Sequence, residues 1–279
     1  MTTTASSTDE DRALKERHRA MWALGDYPTL ANDVIAGLGP VLVAACEVQP
    51  GQRVLDVAAG SGNAAIPAAR AGAEVTASDL TPELLDAGRA TAERDGLALT
   101  WDQADAEALP YGDNEFDVVT SCLGVMFAPH HQAGADELVR VCRPGGTIGL
   151  INWTPEGFIG QMFATMKPYA PPPPPGAQPP PLWGSEDHVR ALLGDNVTDF
   201  SVERRTVTVD HFAQPEDFRD YFKARYGPTI SVYRNIADDA DRTAALDADL
   251  AALARKFNRG TDTAVLDWEY LLITARKRG

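Results

Sequence analysis

Three carboxylates, a glycine-rich turn and a histidine pair stand where apolar runs of this chain give way to loops. The sharpest stretch is residues 54–65, Val54-Leu55-Asp56-Val57-Ala58-Ala59-Gly60-Ser61-Gly62-Asn63-Ala64-Ala65, an apolar strand entering a small-residue loop that opens a helix. Gly60 and Gly62 permit a tight turn and close approach of a ligand to the backbone, and Ala64, Ala65, Ala68 and Ala69 let the helix lie close on a sheet. The loop also satisfies the G-x-G-x-x-A pattern of dinucleotide sites, so by itself it does not choose among nucleotide-like ligands. Asp56 narrows the choice. A carboxylate inside the end of the strand repels a pyrophosphate and suits a ligand bearing ammonium and sulfonium charges. Asp79, in Ser78-Asp79-Leu80, lies at the spacing where an acid takes both hydroxyls of a ribose. Asp105, in Ala104-Asp105-Ala106-Glu107, is placed to accept from an exocyclic adenine amine. Each acid alone reads equally well as a helix cap or turn residue, but three at consecutive strand ends read as one pocket.

His130 and His131 follow the fourth apolar run, on the side of the sheet where open α/β folds bind ligands. One of them is placed to take a proton from an acceptor hydroxyl or amine, and the alternative is a backbone-bonded loop or helix-start pair. Cys122 reads as a small strand-end residue lining the pocket rather than a nucleophile, since no activating group is near it in sequence. His18, His188 and His211 show no partner and read as structural or surface residues.

The elements that must position these groups follow from the period of the apolar residues. Residues 12–46 are helical in pattern, with turn signals at Gly25–Pro28 and Gly39-Pro40. Strand-like runs occupy 53–57, 74–78, 97–101, 116–121 and 147–153, separated mostly by helix-length segments. That alternation predicts right-handed crossovers and a parallel sheet with helices on both faces. After Trp153 come a short amphipathic helix at 158–166 and the proline tracts 171–175 and 179–181. The prolines read as a stiff extended loop, with an exposed linker or SH3-type ligand as the weaker alternative because Tyr169, Leu182 and Trp183 want burial. Helices near 186–193, 215–225 and 238–256 and strands near 202–209 and 265–274 complete the pattern, the last two strands suggesting an antiparallel edge pair carrying an insertion.

The 279 residues carry 25 Lys+Arg against 40 Asp+Glu, a net charge of −15. So acidic a chain lacks the basic face that nucleic acid phosphates or an anionic membrane require. Three scattered cysteines, Cys46, Cys122 and Cys142, predict neither disulfide staples nor a metal cluster. No stretch has a signal-peptide pattern or 18 consecutive apolar residues, which predicts a cytoplasmic protein with a disordered tail.

In this order, residues 54–63, 76–79, 103–110 with 116–121, and 141–146 leading into 147–153 resemble the class I S-adenosylmethionine-dependent methyltransferases. They are particularly similar to the small-molecule group around the ubiquinone/menaquinone C-methyltransferases. The resemblance implies S-adenosylmethionine as cofactor and S-adenosylhomocysteine as product. It puts Asp56, Gly60 and Gly62 at the methionyl end, Asp79 at the ribose, Asp105 and Ala106 at the adenine, and Ser121 to Leu123 at the methionine backbone, with Ala58, Ser61 and Leu80 as further cofactor contacts. Tyr27 and Trp22 would close over the cofactor, with core packing as the alternative. If the insertions fold over the ligand end, Trp22, Phe127, Trp153, Phe158, Met162, Phe222 and Tyr226 would line an apolar acceptor pocket.

The expected molecule is thus an α/β protein with a doubly wound, mostly parallel Rossmann-like sheet. It comprises a tail (1–11), N-terminal helices (12–50), a cofactor-binding core (51–153), a substrate cap with the proline-rich loop and penultimate strand (154–260), and a final core strand (261–279). The expected activity is methyl transfer to a small molecule by in-line displacement, without a metal. An NAD(P)-dependent oxidoreductase and a non-catalytic S-adenosylmethionine-binding module are the alternatives, and the oligomeric state is left open.

Overall fold

Alternating strand and helix signals become a seven-stranded sheet flanked by helices on both faces. The computed structural model describes residues 3–279, with side chains from Asp9 onward. Helices α1 (Thr3–Trp22), α2 (Tyr27–Leu30) and α3 (Leu38–Ala45) precede the alternating unit of β1 (Arg53–Val57), α4 (Ala65–Arg70), β2 (Glu74–Asp79), α5 (Pro82–Arg94), β3 (Thr100–Gln103), β4 (Phe116–Cys122), α6 (His131–Val141) and β5 (Cys142–Trp153). Helix α7 (Phe158–Met166), α8 (Glu186–Leu193), β6 (Val197–Val209), α9 (Asp217–Arg225), α10 (Gly227–Asn235), α11 (Ala240–Phe257) and β7 (Leu266–Lys277) follow. The strand order is β3-β2-β1-β4-β5-β7-β6. The first five strands are parallel, and β7 runs antiparallel to both β5 and β6.

The order reverses between β1 and β4, so the crevice beyond the carboxyl ends of these two strands is where such a sheet takes its ligand. Both strands are buried along nearly their whole length, which is why they read as continuous apolar runs rather than alternating ones. One buried hydrophobic cluster extends from Leu30 and Leu42 through the strands to Phe218 and Leu246 in the cap. Among the described residues no single helix is long and apolar enough to cross a membrane.

Several expected boundaries move. The tail expected over residues 1–11 is helical from Thr3, and residues 1–2 lie outside the described part. Charges at helical spacing support that turn, Asp9 pairing with Arg12 at 3.1 Å. The third strand starts at Thr100 rather than at 97, because Gly96 and Leu97 end α5. Gly96 turns left-handed at φ +69°, its N–H meets Glu93 O, and the Leu97 N–H reaches back to Ala92 O. Strand β6 starts five residues early, and a bulge between Thr198 and Ser201 hides it from the alternation test. Helix α10, absent from the expected pattern, opens at Gly227-Pro228, and Pro180 opens a 3-10 turn to Gly184. Proline costs little at both starts, where its missing N–H has no helical partner.

Candidate active site

The glycine-rich loop leaves β1 through three left-handed residues, Ala58 at φ +53°, Gly60 at +56° and Gly62 at +90°. A Cβ on Gly62 would lie 2.9 Å from the Trp101 ring, so the loop can pack here only with glycine. Ala58 and Leu123 (φ +63°) are the two left-handed non-glycine residues at this end of the sheet. They sit at the neighbouring ends of β1 and β4, where surrounding contacts hold a costly conformation of the kind that clusters at working sites. The Leu123 N–H donates to Ile151 O at 2.8 Å.

Asp56 does not line the cleft that opens there. Its carboxylate is 1 % exposed, and accepts from the Ala65 N–H at 2.8 Å and the Thr120 hydroxyl at 3.1 Å. It therefore fixes the start of α4 behind the loop, and burial pushes its pKa up to about 7. Ser121 is also structural, donating to Val57 O at 2.7 Å and accepting from the Val125 N–H at 2.8 Å. Neither Ser61 nor Gly62 lines the cleft. Asp56 and Ser121 thus differ from expectation because their polar atoms are spent on supporting the loop and the turn after β4 rather than on the cleft.

The cleft, about 720 Å³ with its solvent mouth included, is lined from the sheet by Ala58, Gly60, Asp79, Leu80, Thr81, Asp105, Ala106, Cys122, Leu123 and Gly124. Lys15, His18, Trp22 and Tyr27 close it from α1 and α2. Asp79 accepts from the Gly60 and Thr81 N–H groups, each at 2.8 Å. Each carboxylate oxygen keeps a further lone pair, the acceptor pattern that a pair of vicinal hydroxyls requires. Asp105 accepts from Lys15 Nζ at 2.7 Å and from the Glu107 N–H at 2.9 Å. Lys15 Nζ also binds Glu107, so α1 is tied to the loop after β3.

The histidine pair does not reach the cleft. His130 turns to Glu107, donating its N–H at 2.7 Å and placing Nδ1 2.8 Å from the second oxygen. His131 is fully buried, its Nδ1 2.9 Å from His188 Nε2 and its ring tilted against Trp183. It opens a stripe with Gly134, Ala135 and Leu138 that α6 turns to the core. Burial pushes its pKa down to about 4. His188 thus has a partner, and His18, expected as structural or surface, lines the cleft.

A second, narrow space of about 340 Å³ with its solvent mouth included adjoins the first, lined by Trp22, Tyr27, Leu30, Ile35, Leu123, Phe127, Trp153, Ile159, Phe222, Tyr226 and Trp268. Trp22, Tyr27, Leu123 and Phe127 belong to both spaces. Trp22 meets the rings of Tyr27, Phe127 and Tyr226 edge-on at centroid distances of 4.8–5.7 Å. Five expected acceptor residues come together here: Trp22, Phe127, Trp153, Phe222 and Tyr226. Phe158 and Met162 do not, because α7 turns them into the core, Phe158 stacking on Trp268 at 5.8 Å. Ile159 faces the cavity in their place. Sequence reasoning passed over Lys15, Leu30, Ile35, Ile159 and Trp268; the aromatic strand residue Trp268 near the expected sheet edge was the one local signal available.

A family model described as "Methyltransferase domain" matches residues 54–146. The uncharacterized protein Rv1405c of Mycobacterium tuberculosis is 54% identical, over 96% of this chain and 97% of its own length. The ubiquinone/menaquinone biosynthesis C-methyltransferase of Stenotrophomonas maltophilia is 40% identical over 40% of this chain and 46% of that one. Among solved structures, the Haemonchus contortus phosphoethanolamine N-methyltransferase 2 in complex with S-adenosyl-L-methionine superposes with a TM-score of 0.53 at 16% identity, covering 86% of this chain and 52% of that one.

Proposed function

We propose that this chain, which belongs to the class I S-adenosylmethionine-dependent methyltransferases, methylates a small, largely apolar acceptor seated in the aromatic cavity beside the cofactor cleft. S-adenosylmethionine is its cofactor, and the match to a methyltransferase domain model counts against the oxidoreductase alternative. The observation that carries the acceptor reading is that Trp22, Tyr27, Leu123 and Phe127 line both spaces. The acceptor space and the cofactor cleft therefore meet at these four side chains.

The cleft's donors and acceptors fit the cofactor. In this reading Asp79 takes the ribose hydroxyls, Asp105 and Ala106 the adenine, and the backbone around Gly60 the methionyl end. The cofactor supplies an electrophilic methyl on a positively charged sulfur. The chain's part is to hold the acceptor in line and keep water out, which supplies much of the rate in a bimolecular displacement. Among the described residues no charged side chain lines the aromatic cavity, which disfavours acceptors that must bring an unpaired charge into it. His130 and His131, facing Glu107 and His188, supply no base in this arrangement.

The test pairs calorimetry with a panel of radiolabelled-methyl acceptors, from neutral phenols and lipophilic rings to amino acids and phosphate-bearing amines. Phe222→Ala should raise KM for the best acceptor about tenfold or more while leaving cofactor Kd within about twofold, the loss expected for removing one buried aromatic contact. Transfer only to charged acceptors, or an unchanged KM in this variant, would defeat the reading.

A further inference from the structure

Strand β6 is the outer strand of the sheet, paired with β7 on one side and with no strand among the described residues on the other. It runs 13 residues, against about 5–6 for an ordinary strand. Among the described residues, no backbone group between Thr198 and Thr208 hydrogen-bonds to backbone outside the sheet. An unpaired edge of this length is a template for another strand, and charged side chains decide what approaches it.

The charges here are self-complementary. Glu203 and Arg205 stand two residues apart on one face, paired with each other at 2.7 Å and left 55% and 41% exposed. Arg204, on the opposite face, is neutralised within its own chain by Glu269 and by Glu156. Asp199, Glu203, Arg204 and Arg205 are the charged residues of β6 and sum to zero, although the whole chain carries −15. The edge therefore adds no like-charge repulsion of its own.

We propose that β6 pairs antiparallel with β6 of a second copy of this chain, about a two-fold axis at Arg204, so that one sheet runs through a dimer. Such an isologous contact must be complementary to itself. In this register Glu203 stands opposite Arg205 of the other copy and Arg205 opposite its Glu203, closing a ring of alternating charges at cross-strand contact distance. Val202 meets Thr206 and Phe200 meets Thr208. Moving the axis one residue either way sets Glu203 against Glu203 or Arg205 against Arg205, which like-charge repulsion disfavours, so the signs select the register.

Sedimentation velocity of the full chain over a wide concentration range tests this. The parent should be a dimer weakened by salt. Glu203→Arg and Arg205→Glu should each weaken dimerisation at least about tenfold, and the double exchange should restore it, because swapping both signs rebuilds the same ring. Circular dichroism of each variant checks folding, which these exposed positions leave intact. A parent that stays monomeric throughout would leave the edge to some other strand and overturn the proposal. So would a dimer that ignores both single changes, or a folded double variant that fails to recover.

Discussion

Asp79 and Asp56 end neighbouring strands and do different work because one faces the cleft and the other its support. Asp79→Ala should weaken S-adenosylmethionine binding by about 1.5–3 kcal/mol, the range for bonds to a charged acceptor; calorimetry giving an unchanged Kd in a folded variant would refute the ribose role. Asp56→Asn should leave Kd within about threefold and instead change how stability depends on pH. In the folded chain Asp56 keeps its proton up to about pH 7, while an unfolded aspartate releases it near pH 4, so between these values the fold binds more protons and this contribution to stability falls as pH rises. His131, pushed down to about 4, acts oppositely, its contribution growing with pH up to about 6.5 and lost as pH falls towards 4. The melting temperature of Asp56→Asn relative to the parent should therefore climb from pH 4 to 7, and parallel curves would mean that Asp56 is ionised in the fold. Single-turnover transfer by His130→Asn and His131→Asn should stay within about threefold of the parent, far from the 10²–10⁴ of a lost general base.

Helix α1 is tied to the loop after β3 by Lys15. Lys15 is 11% exposed and meets Asp105 and Glu107 together, and Glu107 in turn holds both the N–H and the ring of His130. Removing its ammonium leaves two carboxylates facing each other with no cation between them. Lys15→Met should accelerate hydrogen exchange in α1 and weaken cofactor binding, while exchange in β1 and β4 stays slow; unchanged exchange in α1 would show that packing of Trp22 and Tyr27 suffices to hold it. Helix α3 supports the loop differently, by proximity. A Cβ on Gly39 would lie 1.6 Å from Asn63 O, so Gly39→Ala must push α3 away from the glycine loop. A thermal-shift loss of several degrees is expected, in line with the 1–3 kcal/mol of an overpacked contact.

Across the whole molecule, the cap is not a separate body. Phe158 packs on Phe218 at 4.7 Å and stacks on Trp268 of the last strand, and Trp268 also meets Phe222 and Trp153. The helices that enclose the aromatic cavity are therefore packed onto the sheet through β7, the strand next to its outer edge. Calorimetry should show one cooperative transition with equal calorimetric and van't Hoff enthalpies. Trp268→Leu should shift that single transition downward rather than split it; an early cap transition followed by a later core one would separate the two.

What the chain alone determined were the features carried by short windows: β1 with its glycine loop, the alternating strand and helix order, and the presence of Asp79 and Asp105 at successive strand ends. Local period and turn chemistry suffice for these, because each residue's signal comes from neighbours a few positions away. The roles within the site were decided elsewhere. Whether Asp56 meets a ligand or the Ala65 N–H, whether His131 faces the cleft or His188, and whether α7 gives Phe158 or Ile159 to the cavity all depend on which face of an element the sheet covers. That choice arises from packing among segments up to about two hundred residues apart, as when Tyr221 bonds Asp33, and no window of the sequence contains both partners.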